Sequence, residues 1–483
     1  MEEPFVVIGG DAAGLSAASK CRRENPDRRV IVLERGRWIS YAYCGMPYYV
    51  KGEVPELTDL LSLSPEDVSE RGIELRRSHE VTAIDPGGTT VTVETPDETY
   101  EQPYGDLLIA TGASAVAGPF DLDRAGAFTM HHMDSAAAMR AAVTPTDEID
   151  PDDVDGPYVD RAWVERTAAR EPPDVAAVIG GGYVGVEMAE ALRARDIDVH
   201  LFQRSGQLLP PFGEAVGAAV ADHLRDHGVR VHLETAVDAL LGDGEVQGVA
   251  HDDGRLECGM AVVGVGVEPN TELVDETAID RGPSGAIAVD EFGQTSAQGI
   301  YAAGDCATDT HTVTGEETWV PLGLTANRAG RAIGTTVAGS PEPVGAVAGT
   351  ALVKAEALGA GRTGILDADR ATEAGFEPVS KTITAGSRSG YYPGAAETTV
   401  TLVADAETGR LLGGATVGED RAAKRIDTVA TALSADLTIE EVERLDLGYA
   451  PPFSPVWDPV LVAAKVLRGA LESEASADSG GSK

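Results

Sequence analysis

Twice in this chain a short apolar strand runs through a glycine turn into a helix, and that repeat limits the fold more than any other feature. The first copy is Phe5 to Ile8, then Gly9-Gly10-Asp11-Ala12-Ala13-Gly14, an alanine-rich helix from Leu15 to about Arg23, and a second apolar strand, Val30 to Leu33, closed by Glu34. The second begins VAAVIGGGYVGVEMAEAL at Val175, with Gly180, Gly182 and Gly185 in the turn and a strand from Val199 to Phe202 after the helix. A strand followed by a crossover helix and another strand builds a parallel sheet, so the expected class is α/β with two Rossmann-like units.

Such a turn points backbone N–H groups at a pyrophosphate, and an acid at the end of the second strand accepts from a ribose hydroxyl. Glu34 stands about 20 residues beyond Gly14, where that geometry requires it. The first copy departs from G-x-G-x-x-G at one place: Asp11 replaces the second glycine. The second copy has all three glycines, but its strand ends in Gln203-Arg204. An uncharged residue followed by arginine suits a 2′-phosphate, so the second dinucleotide is expected to be NADPH, with NADH as the alternative. Two further strands join the first unit: Leu107 to Ala110, breaking at Thr111-Gly112, and Gly299 to Gly304, ending in Asp305. Asp305 is expected at a helix N-terminus, as an N-cap able to bond a flavin ribitol hydroxyl.

Between these parts lies Ser40-Tyr41-Ala42-Tyr43-Cys44-Gly45-Met46-Pro47-Tyr48-Tyr49, with one cysteine and no second one nearby. Cys21, Cys44, Cys258 and Cys306 show neither CxxC nor CxxxxC spacing, which argues against a disulfide framework or a zinc knuckle. A flavin enzyme that reduces disulfides usually needs two neighbouring thiols, so a solitary one has to pair with its substrate. Exchange of that kind proceeds through the thiolate. Cys21 and Cys258 carry no such context, and Cys306 reads as a packing residue beside Asp305.

At 483 residues the chain suits about three domains. Its formal charge is −41, and only 7 of its 38 basic residues are lysines. That composition suits a salt-adapted, cytoplasmic protein and argues against nucleic acid or anionic membrane as a partner. No apolar run reaches membrane-spanning length, and no basic leader precedes the first strand. Residues 144–174 form an acidic, proline-rich insertion expected to turn helical near Val159 to Arg170, and residues 471–483 read as a disordered tail.

With these motifs in this order, the chain resembles the FAD-dependent pyridine nucleotide-disulfide oxidoreductases over nearly its whole length. The Ser40–Tyr49 segment, Thr314 to Leu322, Ser389 to Gly394 and Tyr449 to Phe453 resemble the coenzyme A disulfide reductase branch, which is related to NADH oxidase. The resemblance implies an FAD-binding domain at 1–118 and 288–340, an NAD(P)-binding domain at 119–287 and an α+β dimerisation domain at 345–470. In the implied homodimer, each C-terminal domain completes the partner's active site. FAD contacts are implied at Gly9, Gly10, Asp11, Ala12, Ala13, Gly14, Glu34, Arg35, Val81, Thr111, Gly112, Asp305, Pro321, Leu322 and Phe453. NAD(P) contacts are implied at Gly180, Gly182, Tyr183, Val184, Gly185, Glu187, Gln203, Arg204, Gly264 and Gly266.

Cys44 would cycle between thiolate and a mixed disulfide with coenzyme A, the substrate being a small disulfide such as CoA disulfide. All nine histidines lie at or before His311, so no C-terminal histidine can protonate the departing thiolate. The resemblance gives that role to Tyr449 with Tyr391 or Tyr392. It also puts Ser16, Lys20, Arg23, Ser40 and Tyr43 in the substrate channel, although Tyr43 stands where the family often has asparagine. An NADH oxidase or peroxidase working through a Cys44 sulfenic acid is the nearest rival, yet Ala12 replaces the histidine that branch carries in the turn. A CoA persulfide or polysulfide reductase is a third reading. A flavin-binding redox sensor is the non-enzymatic one, disfavoured by the full set of FAD, NAD(P) and sulfur motifs.

Overall fold

The computed structural model describes residues 3–145, 161–168, 171–282 and 284–480. They form two compact units: residues 1–173, 265–310 and 316–347, and residues 174–264, 311–315 and 348–483. Residues 119–173 and 265–287, expected within an NAD(P) domain, thus group with the first unit.

The first unit is built on a parallel sheet ordered Ile300–Ala302, Asp106–Ile109, Phe5–Ile8, Val30–Glu34, Glu74–Arg77. All its strands but the edge strand Glu74–Arg77 are buried on both faces, and period-two alternation divides them between two cores. Phe5, Val7, Val30 and Val32 pack with the helices Ala12–Glu24 and Gly323–Val337. Val6, Ile8, Ile31 and Leu33 pack with Val81, Ile84, Val91 and Val93 of the antiparallel sheet Glu80–Asp85, Thr90–Glu94, Thr99–Pro103.

The second unit repeats the parallel motif with Arg230–His232, Asp198–Phe202, Val175–Ile179 and Met260–Val263. It also holds a five-stranded antiparallel sheet ordered Ala351–Ala355, Leu358–Gly364, Leu411–Gly418, Glu397–Asp405, Pro378–Gly386. The helices Ala422–Ser434 and Pro459–Gly480 cover that sheet through Ile426, Val429, Val460, Ala463 and Leu467. This agrees with the α/β class and the C-terminal α+β domain.

Two local expectations come out differently, and a third, a helix in the acidic insertion, agrees. The last helix runs to Gly480, so most of the expected tail is helical; Leu461, Ala464 and Leu467 anchor it, and Ala and Glu beyond them favour its continuation. Within the acidic insertion a helix spans Arg161–Ala168, while residues 146–160 lie outside the described residues. Asp305 does not cap a helix. It sits in a turn closed by Ala307 N–H donating to the Gly304 carbonyl, and the chain continues into the strands Asp309–Thr310 and Glu317–Thr318. No described helix is long and apolar enough to cross a membrane.

Candidate active site

The first glycine turn is shaped by two steric demands. Gly9 has φ +110°, a value reserved for glycine, and a Cβ on Gly14 would collide with the Gly9 carbonyl oxygen, so helix and strand can close only without one. Glu34 then ties the turn together: its Oε2 accepts from Gly10 N–H at 2.7 Å and its Oε1 from Gly36 N–H at 2.6 Å. Each oxygen keeps a second lone pair, so the carboxylate can still accept from a ribose.

From this turn opens a cleft of about 700 Å³, within the range of cofactor sites. Of the residues expected at FAD, Gly9, Gly10, Asp11, Glu34, Arg35, Val81, Thr111 and Gly112 line it, while Ala12, Ala13 and Gly14 do not, and Tyr43 lines it as well. Thr111 is fixed by a residue the motifs did not single out: its Oγ1 donates to the Asn270 carbonyl at 2.6 Å, and Asn270 Nδ2 donates back to the Thr111 carbonyl at 2.8 Å. His131 and His132 also line the cleft and were not anticipated. Burial keeps both imidazoles neutral, His132 pushed down to about 4, and His131 Nε2 lies 2.6 Å from the Ala113 carbonyl. Asp305, Pro321 and Leu322 stand outside this wall. Burial raises Asp305 to about 6, and its carbonyl accepts from Trp319 Nε1 at 2.9 Å.

A size-matched cleft, two glycine positions with no room for a side chain and a doubly anchored ribose acid fit a dinucleotide flavin. Asp11 adds an unusual element. It is the N-cap of Ala12–Glu24 but makes no side-chain capping bond, and its buried Oδ2 has no hydrogen-bond partner. Desolvation, chiefly, raises its carboxyl to about 7, opposed by the Tyr43 hydroxyl and reinforced by Glu34.

Cys44 is exposed within the short 3-10 turn Tyr43–Gly45, one residue from the cleft wall, whereas Cys21, Cys258 and Cys306 are buried. Tyr41 donates to Tyr43 at 2.9 Å, and the Tyr43 ring lies 5.5 Å from His131. Ser40, at φ +50°, donates its N–H to the Gly10 carbonyl at 3.0 Å. On the outer face of the first helix, Ser16 donates to Asn327 Oδ1 at 2.7 Å, and Lys20 is paired with Glu24 at 2.6 Å while Arg23 is exposed. A basic face at Lys20 and Arg23 is therefore half-compensated.

In the second unit Gly180 repeats the left-handed turn at φ +106°, and a Cβ on Gly185 would strike the Gly180 carbonyl. Gln203 takes the place of Glu34, accepting from Gly181 N–H at 2.9 Å and donating to Ser205 Oγ at 2.5 Å; Arg204 is exposed beside it. Tyr183 is held edge-on to Phe212, and Val184 packs against Gly264. Glu187 is on the same helix, half-buried, and Gly266 accepts from Val116 N–H in the first unit.

Tyr391, Tyr392, Tyr449 and Phe453 are exposed, along with Val456 and Trp457. A network absent from the motif reading holds their two loops. Arg388 pairs with Asp420 and lies 5.9 Å from the Tyr392 ring centroid. Arg425, buried, donates to the Ser387 carbonyl at 2.5 Å, to the Phe453 carbonyl at 3.4 Å and to Asp458 at 3.1 Å.

Comparison with known proteins accounts for this arrangement. The family model described as "Pyridine nucleotide-disulphide oxidoreductase" matches residues 3–330, and the model of that family's dimerisation domain matches residues 353–459. An NAD(P)H coenzyme A polysulfide/persulfide reductase of Pyrococcus horikoshii is 35% identical over 97% of this chain and 99% of its own. A coenzyme A disulfide reductase of Staphylococcus haemolyticus is 28% identical over 93% and 96%. The solved NAD-dependent persulfide reductase of A. fulgidus superposes with a TM-score of 0.88 at 32% identity, over 97% of this chain and 84% of that one.

Proposed function

This chain belongs to the pyridine nucleotide-disulphide oxidoreductase family, and from that premise we propose that it uses NADPH to reduce coenzyme A disulfide through Cys44. The family makes it an FAD- and NAD(P)H-dependent oxidoreductase; disulfide, electron donor and residue roles are our reading. The observation that carries it is the position of Cys44: the exposed cysteine of the four, one residue from a cleft wall built to hold a dinucleotide.

FAD, when bound, couples a two-electron hydride donor to a sulfur acceptor. Gly9, Gly10, Glu34, Thr111 and Gly112 would hold it, with Asn270 fixing the Thr111 strand end. Gln203, which offers no carboxylate to a ribose phosphate, and Arg204 would receive the NADPH 2′-phosphate. The Cys44 thiolate attacks one sulfur of CoA disulfide, forming Cys44–S–S–CoA and expelling a CoA thiolate, which takes a proton. Two electrons from NADPH then cleave the mixed disulfide, restoring the Cys44 thiolate and releasing the second CoA. In a homodimer, Tyr449 with Tyr391 or Tyr392 of the other subunit would donate to the departing thiolate, which explains why large aromatic side chains stand exposed. Ser16, Lys20, Arg23 and Ser40 would contact the CoA moiety.

Relatives named for persulfide reduction favour one second reading, that a CoA persulfide or polysulfide is the sulfur substrate. NADPH oxidation, measured anaerobically with each sulfur substrate and separately with oxygen or peroxide, decides between them. CoA disulfide should support turnover, and Cys44→Ser should abolish it while leaving flavin content unchanged. Turnover with persulfide alone would shift the substrate, and turnover with oxygen or peroxide alone would overturn the assignment.

A further inference from the structure

Asp11 stands where the fingerprint has a glycine, so that a carboxyl lines a cleft that must receive an anionic pyrophosphate. We propose that Asp11 must hold a proton while FAD is bound, so that the neutral acid faces the phosphates and flavin affinity is proton-linked. The proposal rests on the reading of this cleft as the flavin site.

An N-cap aspartate ordinarily accepts from the amides of the first helical turn. The Ala12 amide lies beside its carboxyl, but Asp11 makes no capping hydrogen bond, and its Oδ2 is buried without a partner. Its charged neighbour is another anion, Glu34, from the end of Val30–Glu34. From the following loop, the Tyr41 and Tyr43 hydroxyls and the Tyr41 backbone face it. Arg35 acts on Tyr41, His131 and His132, both imidazoles being neutral. Elsewhere on the wall, Arg37, His79, Glu80, Asp134 and Glu272 complete the ionisable groups, and Asp134 accepts from Trp38 Nε1. An added phosphate therefore meets a carboxyl already disfavoured as an anion. Ionised, it can only repel; protonated, it can donate a hydrogen bond.

The sign follows from linkage. Below about pH 7 the burial of Asp11 already keeps its proton on, and binding is indifferent to pH. Above that, each FAD bound carries in one proton, and the dissociation constant should rise about tenfold per pH unit. Asp309, raised by burial to about 7 in the same unit, is the natural control.

The test uses the purified flavoprotein, diluted at a series of pH values, with released flavin read by fluorescence and folding followed by circular dichroism. Wild type and Asp309→Asn should share the alkaline slope, and Asp11→Asn should be flat. A flat wild type, or an Asp11→Asn variant with the wild-type slope, overturns the linkage alone. Protein that retains no flavin at any pH overturns the flavin-site reading as well. Should Asp11→Asn fail to fold, calorimetric FAD rebinding to wild type in two buffers of different ionisation enthalpy still decides: one proton taken up above about pH 7 supports the proposal, none overturns it.

Discussion

The two glycine turns share a backbone and differ in charge. Gly9 and Gly180 have nearly the same left-handed φ, Gly14 and Gly185 leave the same gap, and Gly10 and Gly181 each donate to the side chain that ends the next strand. That side chain is a carboxylate in one and an amide in the other. The middle position differs more: Gly182 has open space where a Cβ would be and extended angles, φ −82° and ψ −164°, while Asp11 occupies the equivalent place at φ −122° and ψ −152°. The middle glycine is thus no conformational requirement of the turn. What it controls is how close a ligand comes.

Four substitutions can break or sharpen this comparison. Gly14→Ala and Gly185→Ala should each cost roughly 1–3 kcal/mol, because the added methyl meets a carbonyl that helix and strand cannot move. Thermal unfolding should show comparable losses at both, and tolerance of either would break the steric parallel. Gln203→Glu should convert the second turn towards the first, lowering the kcat/KM ratio of NADPH over NADH at least about tenfold, about 1.4 kcal/mol. Steady-state kinetics with both donors would show it, and an unchanged ratio would remove Gln203 from donor selection. Gly182→Ala should alter stability by less than about 0.5 kcal/mol, there being nothing for the methyl to strike. Its effect should appear instead as weaker NADPH binding by titration.

Much of the site could be read from residues close together in sequence. The fingerprint acid Glu34, the Thr111-Gly112 break and the lone Cys44 were legible because turn chemistry and alternation act over a few positions. Asn270 was not, since it reaches Thr111 only after the sheet has formed. Nor were His131 and His132, which look like an ordinary polar pair until the cleft closes round them, or Arg425, whose bonds to two loops cross distant segments. Asp305 shows the reverse error: strand and Gly-Asp were recognised, but the helix assumed after them was displaced by two short strands.

By itself the sequence determined the two strand–glycine turn–helix repeats and the positions where no side chain fits, and it set Cys44 apart from the other three cysteines. These depend on local sterics, which neighbouring residues settle. Only the tertiary structure decided that the Asp11 Oδ2 is buried without a partner and that Tyr43 lines the cleft. The cost of burying a polar group is set by everything packed around it, and for Asp11 those surroundings come from segments far apart in the chain.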